Sequence, residues 1–191
     1  MRYEPRRRAS SRRRILAAAR SLLTREGPHA VTIHRVMATV GMTHGGFYAH
    51  FESREALLRA ASDLAGRESE AALTVGNGSG RDFLRQFVAR YLGRAHRDSP
   101  EKGCPLPASL SGSAAADRQA TDPNQLVRRY IALLAGALGG DVHQAEERSR
   151  AALAMMIGSL QLARLEHDEG ESDQILRAGR AAVLNLLDAP P

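Results

Sequence analysis

The stretch Met42–Leu58 reads MTHGGFYAHFESREALL. Gly45 and Gly46 stand side by side where an apolar-periodic helix would otherwise run. A glycine in a helix interior costs up to ~1 kcal/mol relative to alanine. Around the pair stand hydroxyls, His44, His50 and Tyr48, all able to exchange hydrogen bonds. Thr43 can cap a short helix that ends near Phe51, with Met42, Phe47 and Phe51 anchoring it from behind. Ser53 caps the next helix, and Glu55 lies favourably in its first turn. Leu57, Leu58, Ala61, Leu64 and Ala65 form that helix's buried stripe.

Upstream, Ile33, Val36, Met37 and Val40 repeat at i, i+3, i+4 and i+7, with Thr32 as cap and Gly41 as a left-handed stop. Two short helices joined through Gly41 have the layout of a helix-turn-helix, whose second helix reads DNA. Farther upstream a helical period starts at Arg12, carried by Ile15, Leu16, Ala19, Leu22 and Leu23, and stops at Gly27-Pro28. Residues 1–11, MRYEPRRRASS, read as a disordered basic arm.

Charge supports a polyanion partner. Residues 1–66 hold 12 Arg against 5 acids, a net +7, while 67–191 hold 15 Lys and Arg against 16 acids, a net −1. A basic end on a near-neutral remainder is the electrostatic footprint expected for duplex DNA. DNA binding assigns His44 to guanine N7 or O6, or to a phosphate, and gives Thr32 and Thr43 phosphate contacts at helix starts. Gly45 removes a side chain where the backbone would approach the duplex most closely. Tyr48 and His50 point towards the sugar-phosphate backbone, Arg54 marks a further phosphate site, and Arg35 can add one. For Arg6–Arg8, a groove-tracking arm and a solvated tail remain equal readings; Arg12–Arg14 lean towards DNA.

Thr32–Leu58, with its Thr-apolar start, Gly-apolar-Thr turn, Phe-Tyr-x-His-Phe run and Ser-Arg-Glu-x-Leu-Leu helix start, strongly resembles the DNA-binding domain of TetR (tetracycline-repressor-like) transcriptional regulators. The resemblance extends from about Arg12 to Leu64. It implies an all-α homodimer, a second helical domain of variable sequence, and repression relieved by a ligand. It also carries DNA-contacting roles for Thr32, Thr43, His44, Gly45, Tyr48, His50 and Arg54. Arg35 and Gly46 depart from the commonest family pattern, which leaves base preference open.

The remainder reads as helices throughout, with no period-two segment and hence no sheet. The boundaries expected are a basic arm at 1–11, a DNA-binding domain at 12–66 and a regulatory and dimerisation domain at 67–191. Gly76–Gly80 is a helix-helix linker, helices follow at 81–97, 108–116, 126–138, 142–164 and 175–187, and Ser53–Val75 is the connecting lever. The resemblance implies a dimer through the last two long helices, for which Leu153, Met156, Ile157, Leu160, Ile175, Val183 and Leu187 are candidates. Each of these equally suits the helices' own core. Phe83, Phe87, Tyr91, Leu106, Leu110 and Met155 are candidates to line an effector pocket, although an aromatic stripe at helical spacing also suits plain core.

Cys104, beside Lys102 near a helix start, is a candidate thiol sensor for an oxidant or electrophile; the alternative is an inert buried cysteine. A lone cysteine excludes an intrachain disulfide. No Walker loop, dinucleotide fingerprint or nucleophile elbow occurs, and the acidic and histidine groups at 143–147 and 167–171 lack metal-ligand spacing. The expectation is therefore a cytoplasmic, non-enzymatic regulator without metal, cofactor or membrane span. It binds a palindromic operator as a repressor under an unknown small-molecule effector; an architectural DNA binder is the alternative.

Overall fold

A computed structural model describes residues 4–76, 78–109 and 115–189. Every regular element among them is helical. The α-helices are α1 (Glu4–Glu26), α2 (Ile33–Thr39), α3 (Arg54–Leu73), α4 (Gly80–Tyr91), α5 (Arg94–Asp98), α6 (Leu106–Ser109), α7 (Ala115–Thr121), α8 (Pro123–Leu138), α9 (Val142–Leu165) and α10 (Glu169–Asp188). A 3-10 helix, His44–Ala49, takes the place of the expected reading helix. The double glycine explains its tighter, weaker geometry, since it lowers α propensity where only six residues are available.

Chain contacts divide the protein into two compact units. One holds the residues up to Glu68 together with Pro100–Pro123; the other holds Ser69–Ser99 and the residues from Asn124 onward. The boundary falls within α3.

In the first unit, Ile15, Ala19 and Leu23 of α1 pack with Val36 and Met37 of α2, Phe47 and Phe51, and Leu57, Leu58 and Ala61 of α3. Thr32 caps α2, its Oγ1 accepting from the Arg35 N–H at 3.2 Å. Gly41 ends α2 at φ 66°, in the left-handed region that glycine enters without strain. Ser53 Oγ accepts from the Ala56 N–H at 3.1 Å at the start of α3. Thr43 has an extended cap conformation but makes no side-chain cap bond; only its carbonyl accepts, from Gly46 N at 3.1 Å.

Two differences from the sequence reading concern this unit. Residues Glu4–Ser11 continue α1 instead of forming a loose arm. Arginine and alanine are good helix formers, and Pro5 lies in the first turn, where its missing N–H costs nothing. The second difference is Pro100–Pro123, which packs with the N-terminal helices although the expected cut placed it in the second domain. Cys104, Leu106 and Ala108 are buried there, and Ser62 Oγ donates to the Thr121 carbonyl at 2.8 Å. At Gly27 (φ 97°) an added Cβ would lie 2.8 Å from the Ala108 carbonyl oxygen, so glycine permits this close approach.

The second unit is built around α4, α8, α9 and α10. Phe87 is fully buried, with ring centroids 5.8 Å from Tyr130 and 6.3 Å from Tyr91. Ser69 Oγ and Tyr130 Oη share a hydrogen bond of 2.9 Å. Asp141 and Asp168 cap α9 and α10 by accepting from the Gln144 and Glu171 N–H groups, each at 2.9 Å. The Asp168 cap starts α10 well before Ile175, where apolar periodicity alone placed it. A Cβ at Gly179 would lie 2.4 Å from Ser159 Oγ, so a glycine there lets α9 and α10 approach closely.

Candidate nucleic-acid interface

The His44–Ala49 helix has one buried anchor and an exposed outer side. Phe47 is fully buried, stacking on Phe51 at 5.9 Å between ring centroids. Thr43, His44, Gly45 and Tyr48 are exposed, Tyr48 to 59%. The Tyr48 ring stands edge-on to Phe47 at 5.3 Å and to His44 at 6.2 Å. A phenol held this way presents its hydroxyl outward from a fixed base.

The two glycines are not required by the protein's own packing. A Cβ at Gly45 would meet nothing within 4 Å, and neither glycine has a left-handed φ. At Gly46 the nearest atom would be Thr43 Oγ1 at 3.6 Å, an ordinary contact. The cost in helix propensity therefore has no internal offset at residue 45, and the open space lies on the exposed side of the helix.

Of the other expected contact residues, Thr32 and Arg35 are exposed at the start of α2. The Arg35 guanidinium donates to both carboxylate oxygens of Glu26, at 2.9 and 3.1 Å. Those bonds, with a further one from Arg25, hold the Glu26 carboxyl down to about 2. His50 is half-buried, and its Nδ1 is enclosed with no hydrogen-bond partner.

Arg54, expected at a phosphate, is engaged within the unit. Its guanidinium is part-buried and donates to Val31 O at 2.8 Å, Pro28 O at 2.8 Å and Asp117 Oδ1 at 2.6 Å. The carbonyls before α2 and a carboxylate from α7 engage three of its five N–H donors, so it ties these segments of the unit together.

Three arginines of α1 meet the helix-turn-helix. Arg8 donates from Nε at 3.1 Å and Nη2 at 2.7 Å to the Ala49 carbonyl. Arg12 places its Cζ 4.5 Å from the Phe51 ring centroid, and Arg14 Nη2 donates to the Val40 carbonyl at 2.6 Å. Sequence reasoning treated these as members of two charge runs. The missed signal is spacing: Arg8 and Arg12 continue, at steps of three or four, the stripe of Ile15, Ala19 and Leu23.

Elsewhere the expected groupings separate. Leu153, Met156, Leu160, Val183 and Leu187 are buried in the second unit's own core, and only Ile157 and Ile175 are half-buried. The exposed face of α9 carries Ala151, Ala154, Gly158, Leu162 and Leu165 instead, with Leu162 58% and Leu165 73% exposed. On α10 it carries Ala178, Ala181, Ala182 and Asn185. Phe87 and Tyr91 are core residues, Phe83 and Met155 are half-buried, and Leu106 belongs to the other unit. Leu110 lies outside the described residues. Cys104 is fully buried, which does not fit the exposure a reactive thiol needs.

The family described as "Bacterial regulatory proteins, tetR family" matches residues 15–61, the span that includes α2 and the His44–Ala49 helix. No curated protein matches the chain. Among solved structures it is similar to a TetR transcriptional regulator from Chloroflexus aurantiacus, with a TM-score of 0.78 at 21% identity, covering 94% of this chain and 95% of that one. It is also similar to the reduced form of E. coli NemR, with a TM-score of 0.72 at 22% identity, covering 95% and 98%. A TetR regulator from Legionella pneumophila matches with a TM-score of 0.70 at 21% identity, covering 89% and 93%.

Proposed function

Since the chain is a TetR-family transcriptional regulator by its DNA-binding domain and its fold, we propose that it acts in the cytoplasm as a homodimeric repressor. In this reading it binds a palindromic operator and releases it on binding an effector. The observation that carries the reading is the exposed ridge Thr43–His44–Gly45–Tyr48, rooted by Phe47, with open space where residue 45 lacks a side chain. His44 and Tyr48 meet base edges and sugar-phosphate, while Thr32, Thr43 and Arg35 meet phosphates. Arg35 reaches a phosphate by leaving Glu26, an exchange that its exposure makes inexpensive.

The second copy joins through the outward faces of α9 and α10. Alanines and Gly158 allow close helix approach there, and Leu162 supplies apolar area that a lone subunit leaves in water. Two-fold symmetry then puts the two reading helices on successive major grooves of one palindrome. Repression is relieved by a population shift. The effector binds better to a state whose heads no longer match that spacing, and α3, which runs through both units, carries the change. The effector is a small molecule. An oxidant or electrophile acting on Cys104 needs a state in which that buried thiol opens.

Selection of bound duplexes from a random pool, with the molar mass of the complex measured alongside, tests the proposal. A palindrome bound by two chains is expected. Steeply salt-dependent binding with no enriched sequence would replace it with an architectural DNA binder.

A further inference from the structure

The His44–Ala49 helix is a weak element by itself. It has six residues, two of them glycine, and no side-chain cap at its start. Isolated helices of this length do not hold in water, so its orientation must come from its neighbours. Phe47 supplies one fixed point from the core. α2 packs against the helix, with Met37 close to Gly46, and the basic half of α1 adds polar and cation-π contacts at its C-terminal end.

Ala49 is the helix's last residue, and its carbonyl is one of the orphan acceptors at a helix C-terminus. Arg8 meets it with two donors, and a cation is favoured at that end. One turn further along α1, Arg12 lies over Phe51, which stacks on Phe47, which in turn holds the Tyr48 ring edge-on. A contiguous series thus runs from Arg12 to the exposed phenol. Arg14 bonds the Val40 carbonyl at the C-cap of α2, so both helices of the helix-turn-helix end on an α1 arginine.

Helical geometry divides the two arginine triplets. At 100° per residue, Arg8 and Arg12 fall on the side of α1 that carries Ile15, Ala19 and Leu23. Arg6 and Arg13, two turns apart, lie about 100° or more round the helix from Arg12. Unlike the equally exposed Arg8 and Arg12, they make no bond or ring contact to the helix-turn-helix among the described residues. We propose that Arg8 and Arg12 are positioning residues that hold His44–Phe51 in its DNA-reading orientation, whereas Arg6 and Arg13 neutralise phosphates. The inference rests on the reading of Thr43–Tyr48 as the DNA face.

The test compares Arg8→Gln and Arg12→Gln with Arg6→Gln and Arg13→Gln in the full chain. Hydrogen exchange of residues 46–51 is measured without DNA. Affinity over a salt series is measured for the duplex selected by the wild type and for a scrambled duplex of equal composition. In Arg8→Gln and Arg12→Gln, exchange at 46–51 should quicken. Discrimination between the duplexes should fall by about tenfold, the lower part of what one good base contact supplies. Their salt slope should stay at the wild-type value. In Arg6→Gln and Arg13→Gln exchange and discrimination should hold, while the slope becomes shallower by roughly 0.9 for each lost phosphate contact. Unchanged exchange in both Arg8→Gln and Arg12→Gln overturns the proposal. So does a shallower slope with discrimination intact, which would make these residues phosphate contacts. If the wild type itself fails to discriminate, the DNA-face reading falls, and quickened exchange alone would reduce the two arginines to a structural clamp.

Discussion

Two aromatic runs in this chain look alike in sequence and differ in what they do. Phe47 and Phe51 are four apart, as are Phe83, Phe87 and Tyr91, and in both runs successive rings touch, stacked in Phe47–Phe51 and Phe87–Tyr91 and tilted in Phe83–Phe87. In the second run the buried rings meet another buried ring, Tyr130, and the cluster closes on itself. In the first, the buried rings carry an exposed one, Tyr48, flanked by His44 and by a glycine open to solvent. The difference teaches that the buried aromatics do not themselves mark a function. The residues they hold outward do.

The largest effects should come from removing either anchor. Phe47→Ala and Phe87→Ala each delete a fully buried ring and should each cost about 3–5 kcal/mol. Hydrogen exchange should locate the damage, in residues 33–61 for the first and in 80–99 and 124–138 for the second. Losses spread evenly over the chain in both variants would erase the distinction between the two clusters.

Next in size is a pH effect confined to the second cluster. His96 donates from Nδ1 to the Tyr91 carbonyl at 2.7 Å, and its ring stands edge-on to Tyr91 at 4.8 Å. Burial, reinforced by the Arg164 charge and opposed by the Tyr91 hydrogen bond, lowers its pKa from 6.5 to about 4. The unfolded chain therefore binds this proton below pH 6.5 while the folded chain stays neutral until about 4. The contribution is complete above pH 6.5 and is lost as pH falls towards 4, a change on the order of 3 kcal/mol. Urea unfolding of His96→Gln should show a flatter dependence across that window. Glu26 behaves differently: Arg35 and Arg25 hold it at about 2, so its share is lost only between pH 4.5 and 2. Equal pH slopes for wild type and His96→Gln between 6.5 and 4 would refute the assignment.

The exposed partners should respond the other way. His44→Ala and Tyr48→Phe should leave stability within ~0.5 kcal/mol, because neither removes buried area. His44→Ala should weaken binding to the selected duplex by roughly 1–3 kcal/mol, the range for a specific base contact, and Tyr48→Phe by about 1–2 kcal/mol, as for one lost hydrogen bond to a phosphate. Unchanged affinity in both would remove the functional half of the comparison.

How much of this was legible beforehand follows from what each residue's partner is. The stripes on α1, α2, α3 and α9 were readable because a helix reports its buried side through its own period. The Thr32, Gly41 and Ser53 signals were local too, and each falls where it was expected. The internal bonds of Arg54 were not legible, because its partners, Pro28, Val31 and Asp117, are up to 63 residues away and leave no trace in its neighbourhood. Pro100–Pro123 escaped for the same reason. For the dimer candidates, the own-core alternative holds for most. Apolar periodicity in α9 and α10 reports the protomer's own core, which takes up Leu153, Met156, Leu160, Val183 and Leu187, whereas the exposed stripe of Ala151, Ala154, Gly158 and Leu162 is too weakly apolar to stand out in the sequence.

The smallest predicted effect concerns a residue that belongs to both halves of the comparison. Thr32 caps α2, and it was also assigned a phosphate. The two roles are compatible, because a hydroxyl accepts through a lone pair and donates through its proton. In the free protein Oγ1 accepts from Arg35 N, which leaves the proton to turn outward at an exposed position. Thr32→Ala should therefore lower stability by about 1 kcal/mol, as for loss of a cap. Thr32→Asp keeps an acceptor but has no proton to donate and adds a negative charge. It should retain the stability of the wild type while binding the selected duplex more weakly than Thr32→Ala does. If Thr32→Asp binds as well as wild type, the hydroxyl touches no phosphate, and Thr32 is a cap alone.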